Sequence, residues 1–227
     1  VKSGMDVARF NFSHGTHTDH KERLLRLRKI EADEGKPIAV FADLQGPKIR
    51  LGRLSHEPQQ LKKGDTVHIF HAEAQEGKKI PIRLDIFPHL KAGHQVLIND
   101  GIIRLVIDKM QGKEAVCTVL AGGEIRSNKG INLPDTILPG VALTEKDRQD
   151  LQFIVPLGIE FVALSFVQSA ADIVDVKEFL KQFDYQPRIL AKIECAPAIQ
   201  HLEEIIKVSD GIMVARGDMA VEVGQEE

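Results

Sequence analysis

Two short apolar runs near the carboxyl end of the chain each finish in charged residues. The run 189–191 leads into Lys192 and Glu194, and the run 212–214 leads into Arg216 and Asp218. On a β-strand, residues two apart share a face, so Lys192 and Glu194 point the same way from the strand's carboxyl end. Carboxylate oxygens are ligands for Mg²⁺, and a lysine ammonium stabilises developing negative charge. These residues therefore predict a site that holds a divalent cation next to an anionic substrate.

Each of these charges also has an ordinary explanation when it is taken singly. Lys192 and Glu194 alone are more typical of a surface ion pair. The segment 11–14 and Asp43 have the composition of turn and cap residues. Arg50 and Lys129 could be solvated charges. The prediction of a site therefore depends on how these residues combine along the chain.

Outside its middle, the chain alternates predicted strands with predicted helices. Apolar runs predict strands at 7–11, 37–44, 161–165, 188–193 and 211–214. Helical patterns predict helices at 19–34 and 197–207, and two more between them that end at 153 and at 183. Capping boxes start the second and third helices, Thr144 with Asp147 and Ser169 with Asp172. Such alternation predicts βαβ units and a parallel sheet. In the first helix, we expect Leu24, Leu27 and Ile30 on one side and Gly35 as the stop.

The middle of the chain, 47–140, has a different pattern. It is rich in Gly and Pro, and it predicts short strands at 66–70, 95–98, 102–107 and 115–120. Asn99-Asp100-Gly101 is a strong hairpin signal between two of them. We therefore expect a small all-β domain inserted into an α/β domain.

Polar residues follow every predicted strand of the α/β part at its carboxyl end. They are Arg9, Asn11 and Ser13, then Asp43, then Ser165, then Lys192 and Glu194, and last Arg216 and Asp218. This edge carries the active site in a (β/α)₈ barrel, and a doubly wound open sheet also binds ligands there. The pattern alone does not separate the two folds.

Composition limits the classes of partner. The 227 residues carry a net charge of −3, which argues against a nucleic-acid or anionic-membrane partner. No apolar run is long enough to span a membrane, and Cys117 and Cys195 are interpreted as reduced thiols of a cytoplasmic protein. The chain begins at Val1 without a Met and ends without a closing element, so we expect it to be part of a longer protein.

Seven motifs in order resemble those of pyruvate kinases, over the whole chain. They lie at 7–15, 43–50, 129–134, 143–147, 164–167, 192–194 and 213–218. The resemblance implies phosphoryl transfer from phosphoenolpyruvate to ADP, giving pyruvate and ATP. It also implies a partial (β/α)₈ TIM barrel at 1–46 and 141–227, with the small β barrel at 47–140 inserted, and a homotetrameric parent protein.

The same resemblance assigns roles by position. Glu194 and Asp218 would bind Mg²⁺, with Mn²⁺ as an alternative, and Lys192 and Arg9 would be catalytic. Substrate contacts would come from Arg9, Arg216 and Gly217, and nucleotide contacts from Arg50, Lys129, His14 and Asn11.

One departure within the motifs bears on a monovalent cation. In family members that need K⁺, the ion is bound by residues matching Asn11, Ser13, Asp43 and the Leu44 backbone. Those members typically carry Glu where this chain has Lys48. An ammonium of fixed charge can replace a monovalent cation and screen Asp43. We therefore expect that K⁺ is not required.

Two other functions remain open at this point. A Mg²⁺-dependent lyase or aldolase of the phosphoenolpyruvate/pyruvate-binding barrel group would share Glu194 and Asp218 but would not use Lys129. Alternatively, the chain is a non-catalytic folded fragment. Because it stops before the family's catalytic Thr and carboxyl-terminal domain, we expect these residues alone to be inactive.

Overall fold

The computed structural model describes residues 3–138 and 142–222. Its strands are β1 (Val7–Asn11), β2 (Ala39–Asp43), β3 (Gln59–Leu61), β4 (Thr66–His71), β5 (Ile80–Ile82), β6 (Gln95–Ile98), β7 (Ile103–Gln111), β8 (Glu114–Ala121), β9 (Gly123–Ile125), β10 (Ile131–Asn132), β11 (Phe161–Leu164), β12 (Arg188–Ile193) and β13 (Gly211–Val214). Its α-helices are α1 (His17–Glu34), α2 (Glu145–Ile154), α3 (Ala170–Leu180), α4 (Ala196–Gln200), α5 (Leu202–Val208) and α6 (Arg216–Glu222).

Five strands form one parallel sheet in the order β1-β2-β11-β12-β13. The predicted parallel sheet is thus confirmed, and its strands follow one another in chain order without a reversal. The central strands β2 and β11 bury apolar side chains completely, as at Val40 and Val162. Asp43 pairs in register with Asn11 on one side and with Ala163 on the other. This register brings the carboxyl ends of β1, β2 and β11 together.

The helices differ from the predicted ones at several points. α1 begins at His17, two residues earlier than predicted, because the Thr16 side chain accepts a hydrogen bond from the Asp19 backbone. Leu24 and Leu27 are buried as predicted, whereas Ile30 is exposed. α3 ends at Leu180 instead of 183, the predicted helix 197–207 is divided into α4 and α5, and α6 was not predicted.

The middle of the chain forms a six-stranded sheet in the order β10-β6-β7-β8-β4-β5, and β3 pairs with β9. The hairpin between β6 and β7 is confirmed, with Asp100 and Gly101 both at positive φ. Such values suit the turns that match the twist of paired strands. β7 and β8 extend further than predicted, and the short strands β3, β5, β9 and β10 were not predicted.

By its contacts the chain divides into two compact units. The first unit comprises Val1–Pro47, Pro139–Ile193 and His201–Ala215, and the second comprises Lys48–Leu138, Glu194–Gln200 and Arg216–Glu227. The predicted domain boundary at 140/141 and both chain ends lie outside the described residues. Among the described helices, none has the length and apolar character needed to cross a membrane.

Both cysteines are reduced, as expected, and both are buried. Cys117 lies in β8 and is fully buried. Burial raises the pKa of the Cys117 thiol to about 12, and Asp108 adds to this effect. A thiol with so high a pKa is a packing residue, because the thiolate is the reactive form.

Candidate functional site

An ion pair joins the carboxyl ends of β1 and β2. Arg9 Nε donates a hydrogen bond to Asp43 Oδ2 over 2.8 Å, and one terminal guanidinium nitrogen donates to the same oxygen. The Asp43 side chain is 3% exposed, whereas that of Arg9 is 54% exposed. A guanidinium has five N–H donors, so Arg9 keeps donors for an external anion while Asp43 orients it.

Lys192 of β12 approaches the same carboxylate from the other side. Its Nζ lies 3.3 Å from Asp43 Oδ1 and donates a hydrogen bond to Ser165 Oγ over 2.6 Å. The Ser165 hydroxyl donates in turn to the Leu44 carbonyl over 2.7 Å. Lys192 is buried, and a buried ammonium is tolerated only when it is paired and hydrogen-bonded. The structure therefore fixes the position of Lys192 through the ends of β2 and β11.

Arg9 and Lys192 thus share the Asp43 carboxylate, so two cationic side chains meet in this cluster of Arg9, Asp43 and Lys192. In surroundings of low dielectric constant a positive charge attracts anions more strongly than it would in water. Hydrogen bonds from ionised donors to phosphate are stronger than neutral ones. The cluster can therefore hold a phosphoryl group and stabilise negative charge that develops on an oxygen atom.

The last residue of β1 and the loop that follows it carry three of the predicted site residues. Ser13 N–H donates to Asn11 Oδ1 over 3.0 Å, and His14 N–H donates to the Asn11 carbonyl. Phe12 N–H donates to the Asp43 carbonyl over 2.9 Å, which ties the loop to the end of β2. The structure therefore brings Asn11 and Ser13 next to the end of β2, where Asp43 and Leu44 lie.

The loop after β2 turns sharply at Gly46, where φ is +65°. A Cβ atom at this position would lie 2.9 Å from the Cβ of Ser165, so only glycine fits. Gly46 N–H donates to Asp147 Oδ1 over 3.2 Å, and Asp147 also forms the capping box of α2 with Thr144. Asp147, predicted only as part of the capping box, therefore also binds the Gly46 N–H, which its spacing from Thr144 does not indicate.

In the second unit, the structure brings the predicted nucleotide-binding cations together. Arg50 forms a β-bridge with Gly130, and Leu51 N–H donates to the Lys129 carbonyl over 2.9 Å. The Arg50 guanidinium donates to the Asn128 carbonyl over 2.9 Å. Lys48 is exposed, and its Cε would lie 3.8 Å from a Cβ atom placed on Gly130. Arg50 and Lys129 therefore lie on adjacent antiparallel segments.

The predicted Mg²⁺ ligands follow β12 and β13. Glu194 comes directly after β12 and is fully buried. Arg216, Gly217 and Asp218 form the first turn of α6, where a carboxylate is favoured by the helix dipole. Two carboxylates supply hard oxygen donors, and Mg²⁺ is usually bound by one or two of them together with water and substrate phosphate. The donor chemistry therefore fits Mg²⁺. Within 3–138 and 142–222, no cluster of three or more His, Cys, Asp or Glu is placed to hold a metal.

A further group of polar residues was not predicted from the sequence. Lys146 Nζ donates to the Phe12 carbonyl over 2.8 Å and to Asp150 Oδ2 over 2.6 Å. Asp150 Oδ1 lies 2.7 Å from His17 Nε2. Lys146 lies in the motif 143–147, and its spacing from Asp150 places both on one face of a helix, but neither feature reveals the contacts with Phe12 and His17.

His20 is buried beneath the loop after β1. Its ring stacks on Phe12 with centroids 4.2 Å apart, and its Nε2 lies 2.9 Å from the His14 carbonyl. That contact makes Nε2 the donor in the neutral ring, and Nδ1 is buried without a hydrogen-bond partner among residues 3–138 and 142–222. Burial lowers the pKa of His20, the His14 carbonyl opposes this effect, and the charge of Arg23 adds to it.

We expect the stability of the chain to depend on pH through His20. Below the ordinary histidine pKa of about 6.5, the unfolded chain takes up a proton that the folded chain resists, so unfolding becomes easier as the pH falls. Between pH 7.5 and pH 5.5, the urea unfolding midpoint should therefore fall further for the wild type than for His20→Gln. His56→Gln, at an exposed position, is the control and should keep the wild-type difference. An equal loss in His20→Gln and the wild type would contradict this assignment.

Comparison with known proteins now identifies the family. A family model described as "Pyruvate kinase, barrel domain" matches residues 1–227. A pyruvate kinase from Mycobacterium intracellulare is 43% identical over 229 residues, which cover 100% of this chain and 48% of that protein. The crystal structure of a pyruvate kinase from Cryptosporidium parvum matches with a TM-score of 0.93 and 32% identity, covering 99% of this chain and 48% of that one. A second crystal structure, of the pyruvate kinase from Pyrobaculum aerophilum, matches with a TM-score of 0.86 and 28% identity, covering 97% of this chain and 49% of that one.

The extent of these matches matters as much as their strength. The chain spans about half the length of the curated relatives it matches. Within that span the family model leaves no residue uncovered. The Arg9, Asp43 and Lys192 cluster lies on the matched strands. The chain therefore belongs to the pyruvate kinase barrel-domain family.

Proposed function

We propose that the protein containing this chain transfers the phosphoryl group of phosphoenolpyruvate to ADP, giving pyruvate and ATP. The observation that carries this proposal is the cluster of Arg9, Asp43 and Lys192 at the strand ends of a chain that belongs to this family. Phosphoryl transfer needs charge neutralisation and positioning more than covalent catalysis. Two cations oriented by one buried carboxylate supply both.

The individual roles are those that the resemblance assigns by position, and the contacts of Arg9 and Lys192 support two of them. Arg9, exposed but oriented by Asp43, binds the phosphate of phosphoenolpyruvate. Lys192, buried and fixed by Ser165, stabilises negative charge on the transferring phosphoryl group and on the enolate oxygen that it leaves. Arg216 and the Gly217 backbone bind the rest of this substrate. Arg50, Lys129, His14 and Asn11 bind ADP.

Glu194 and Asp218 are the residues that would hold the metal ion. Mg²⁺, or Mn²⁺ in its place, would supply positive charge next to the substrate oxygens when bound. The carboxylate chemistry of both residues supports this assignment.

The wider architecture is proposed on the same basis. The strands at 1–46 and 141–227 would belong to a (β/α)₈ TIM barrel, and 47–140 to an inserted β-barrel domain. The chain-order arrangement of the parallel strands supports a barrel over a doubly wound sheet, whose strand order reverses. A homotetramer in the cytoplasm, acting in glycolysis, is the expected setting of the complete protein.

Pyruvate release tests the reaction against its nearest rival. The assay uses phosphoenolpyruvate and Mg²⁺, with ADP present or omitted, on the 227-residue chain and on a polypeptide that extends it to the length of its relatives. We expect pyruvate from the longer polypeptide only when ADP is present. Pyruvate without ADP would contradict the transferase. Inactivity of both polypeptides would favour a non-catalytic role.

We also propose that K⁺ is not required, because Lys48 replaces the cation that Asn11, Ser13, Asp43 and the Leu44 backbone would otherwise bind. This proposal is supported by the two cationic partners of Asp43, Arg9 and Lys192, which compensate its charge without a monovalent cation. We expect turnover at saturating substrate to change less than twofold when Na⁺ is replaced by K⁺. Lys48→Glu should make turnover depend on K⁺. A large activation of the wild type by K⁺ would contradict this prediction.

A further inference from the structure

The peptide group between Phe12 and Ser13 is held at both of its polar atoms. Its carbonyl oxygen accepts a hydrogen bond from Lys146 Nζ over 2.8 Å. Its N–H donates to Asn11 Oδ1 over 3.0 Å. The orientation of this one peptide plane therefore fixes which way the Asn11 amide and the Ser13 side chain face.

Lys146 is itself held in place by side chains of two helices. Its ammonium pairs with Asp150 one turn along α2, and the Asp150 side chain is 3% exposed. The other Asp150 oxygen contacts His17 of α1, whose ring lies parallel to that of Phe153 with centroids 4.3 Å apart. A carboxylate buried between two nitrogen donors has little freedom to move. Lys146 is therefore a fixed donor, although 46% of its side chain is exposed.

We propose that Lys146 is a positioning residue for the proposed reaction. It acts through the peptide group 12–13. By holding this group, Lys146 keeps the Asn11 and Ser13 side chains turned towards the bound substrate. The functional part of this inference rests on the proposed phosphoryl transfer, whereas the structural part does not. Asp150 and His17 support Lys146 in this role.

Amide hydrogen exchange, measured by NMR on the 227-residue chain, tests the structural part. In Lys146→Met, which keeps the length of the side chain, exchange at the Ser13 amide should be about ten- to a hundredfold faster, because a hydrogen bond from a charged donor is lost. The Phe12 amide, bonded to the Asp43 carbonyl, should keep its wild-type rate. Lys146→Arg should restore most of the protection, and Lys181→Met, at the exposed residue that follows α3, should change neither amide.

Binding of phosphoenolpyruvate to the protein, titrated in the presence of Mg²⁺, tests the functional part. We expect Lys146→Met to raise its Kd about tenfold relative to the wild type, with Lys146→Arg between them. If the wild type binds no phosphoenolpyruvate, the proposed function fails, and the exchange rates still decide the structural part. An unchanged Ser13 amide, or faster exchange at Ser13 and Phe12 alike, would overturn the inference. If Lys146→Met does not fold, Asp150→Asn replaces it. Exchange at the Ser13 amide alone should then be faster than in the wild type, by a smaller factor than expected for Lys146→Met. An unaltered Ser13 rate in Asp150→Asn would also overturn the inference.

Discussion

Lys192→Met is expected to lower kcat for phosphoryl transfer by about a hundred- to a thousandfold, the range seen when one preorganised donor to a developing oxyanion is removed. The lysine is suited to such a role because it is buried and oriented by Ser165 and Asp43. Methionine keeps the length and apolar stem of the side chain but removes the ammonium. Steady-state kinetics on the full-length polypeptide should show that KM for phosphoenolpyruvate changes much less than kcat.

Lys207→Met is the matched control, because Lys207 is an exposed residue in the last turn of α5. Its kinetic constants should equal those of the wild type. Near wild-type kcat in Lys192→Met would remove Lys192 from the reaction. A rise in KM alone would reassign it to substrate binding, since only interactions made in the transition state raise kcat.

The second large effect is expected at Asp43, and it concerns stability. Asp43→Asn keeps the shape of the side chain but removes the charge that compensates Lys192 and Arg9. Breaking a buried ion pair on one side costs about 3–5 kcal/mol, because the remaining charge stays buried. Most of the loss should come from Lys192, since the Arg9 side chain is 54% exposed and stays solvated. Urea unfolding of the 227-residue chain should show a lower midpoint at an unchanged slope.

The double variant Asp43→Asn with Lys192→Met provides the internal check. Removing both partners leaves neither charge of the Asp43–Lys192 pair buried, so part of the lost stability should return. Asp184→Asn, at an exposed position, should stay within about 0.5 kcal/mol of the wild type. Additive losses in the double variant would show that Asp43 and Lys192 do not interact in the folded chain.

Residues at strand ends could be predicted from sequence because strand geometry is local. An apolar run that ends in Asp43 or Lys192 places each residue at the same edge of a parallel sheet. That the two side chains meet follows from the register of β2, β11 and β12, which depends on packing over long sequence separations. The pairing of Asp43 with Lys192 therefore needed the structure.

Contacts to backbone atoms were the least predictable part of the site. The Lys146 ammonium binds the Phe12 carbonyl, and every residue type carries such a carbonyl. No side chain at position 12 therefore signals this contact in advance. Gly46 is a similar case. A glycine followed by proline is typical of many turns, so the sequence does not indicate that the Gly46 N–H binds Asp147, which only the structure shows.

The error at Ile30 has a simple geometric cause. Leu24, Leu27 and Ile30 are three residues apart, and a helix turns by about 100° per residue, so each step drifts by about 60° from the buried face. After two steps, Ile30 lies about 120° away from Leu24, which is far enough to reach solvent. Its 43% exposure agrees with this rotation.

The fate of the phosphorus atom tests the central claim most directly. A ³¹P NMR time course follows phosphoenolpyruvate, ADP and Mg²⁺ with the polypeptide extended to the length of its relatives. We predict that the phosphoenolpyruvate signal falls while the γ-phosphate signal of ATP rises in equal amount, and that Lys192→Met abolishes both changes on the same time scale. Appearance of inorganic phosphate in place of ATP, or conversion that is unaffected by Lys192→Met, would contradict the claim that this chain carries a phosphoryl-transfer site.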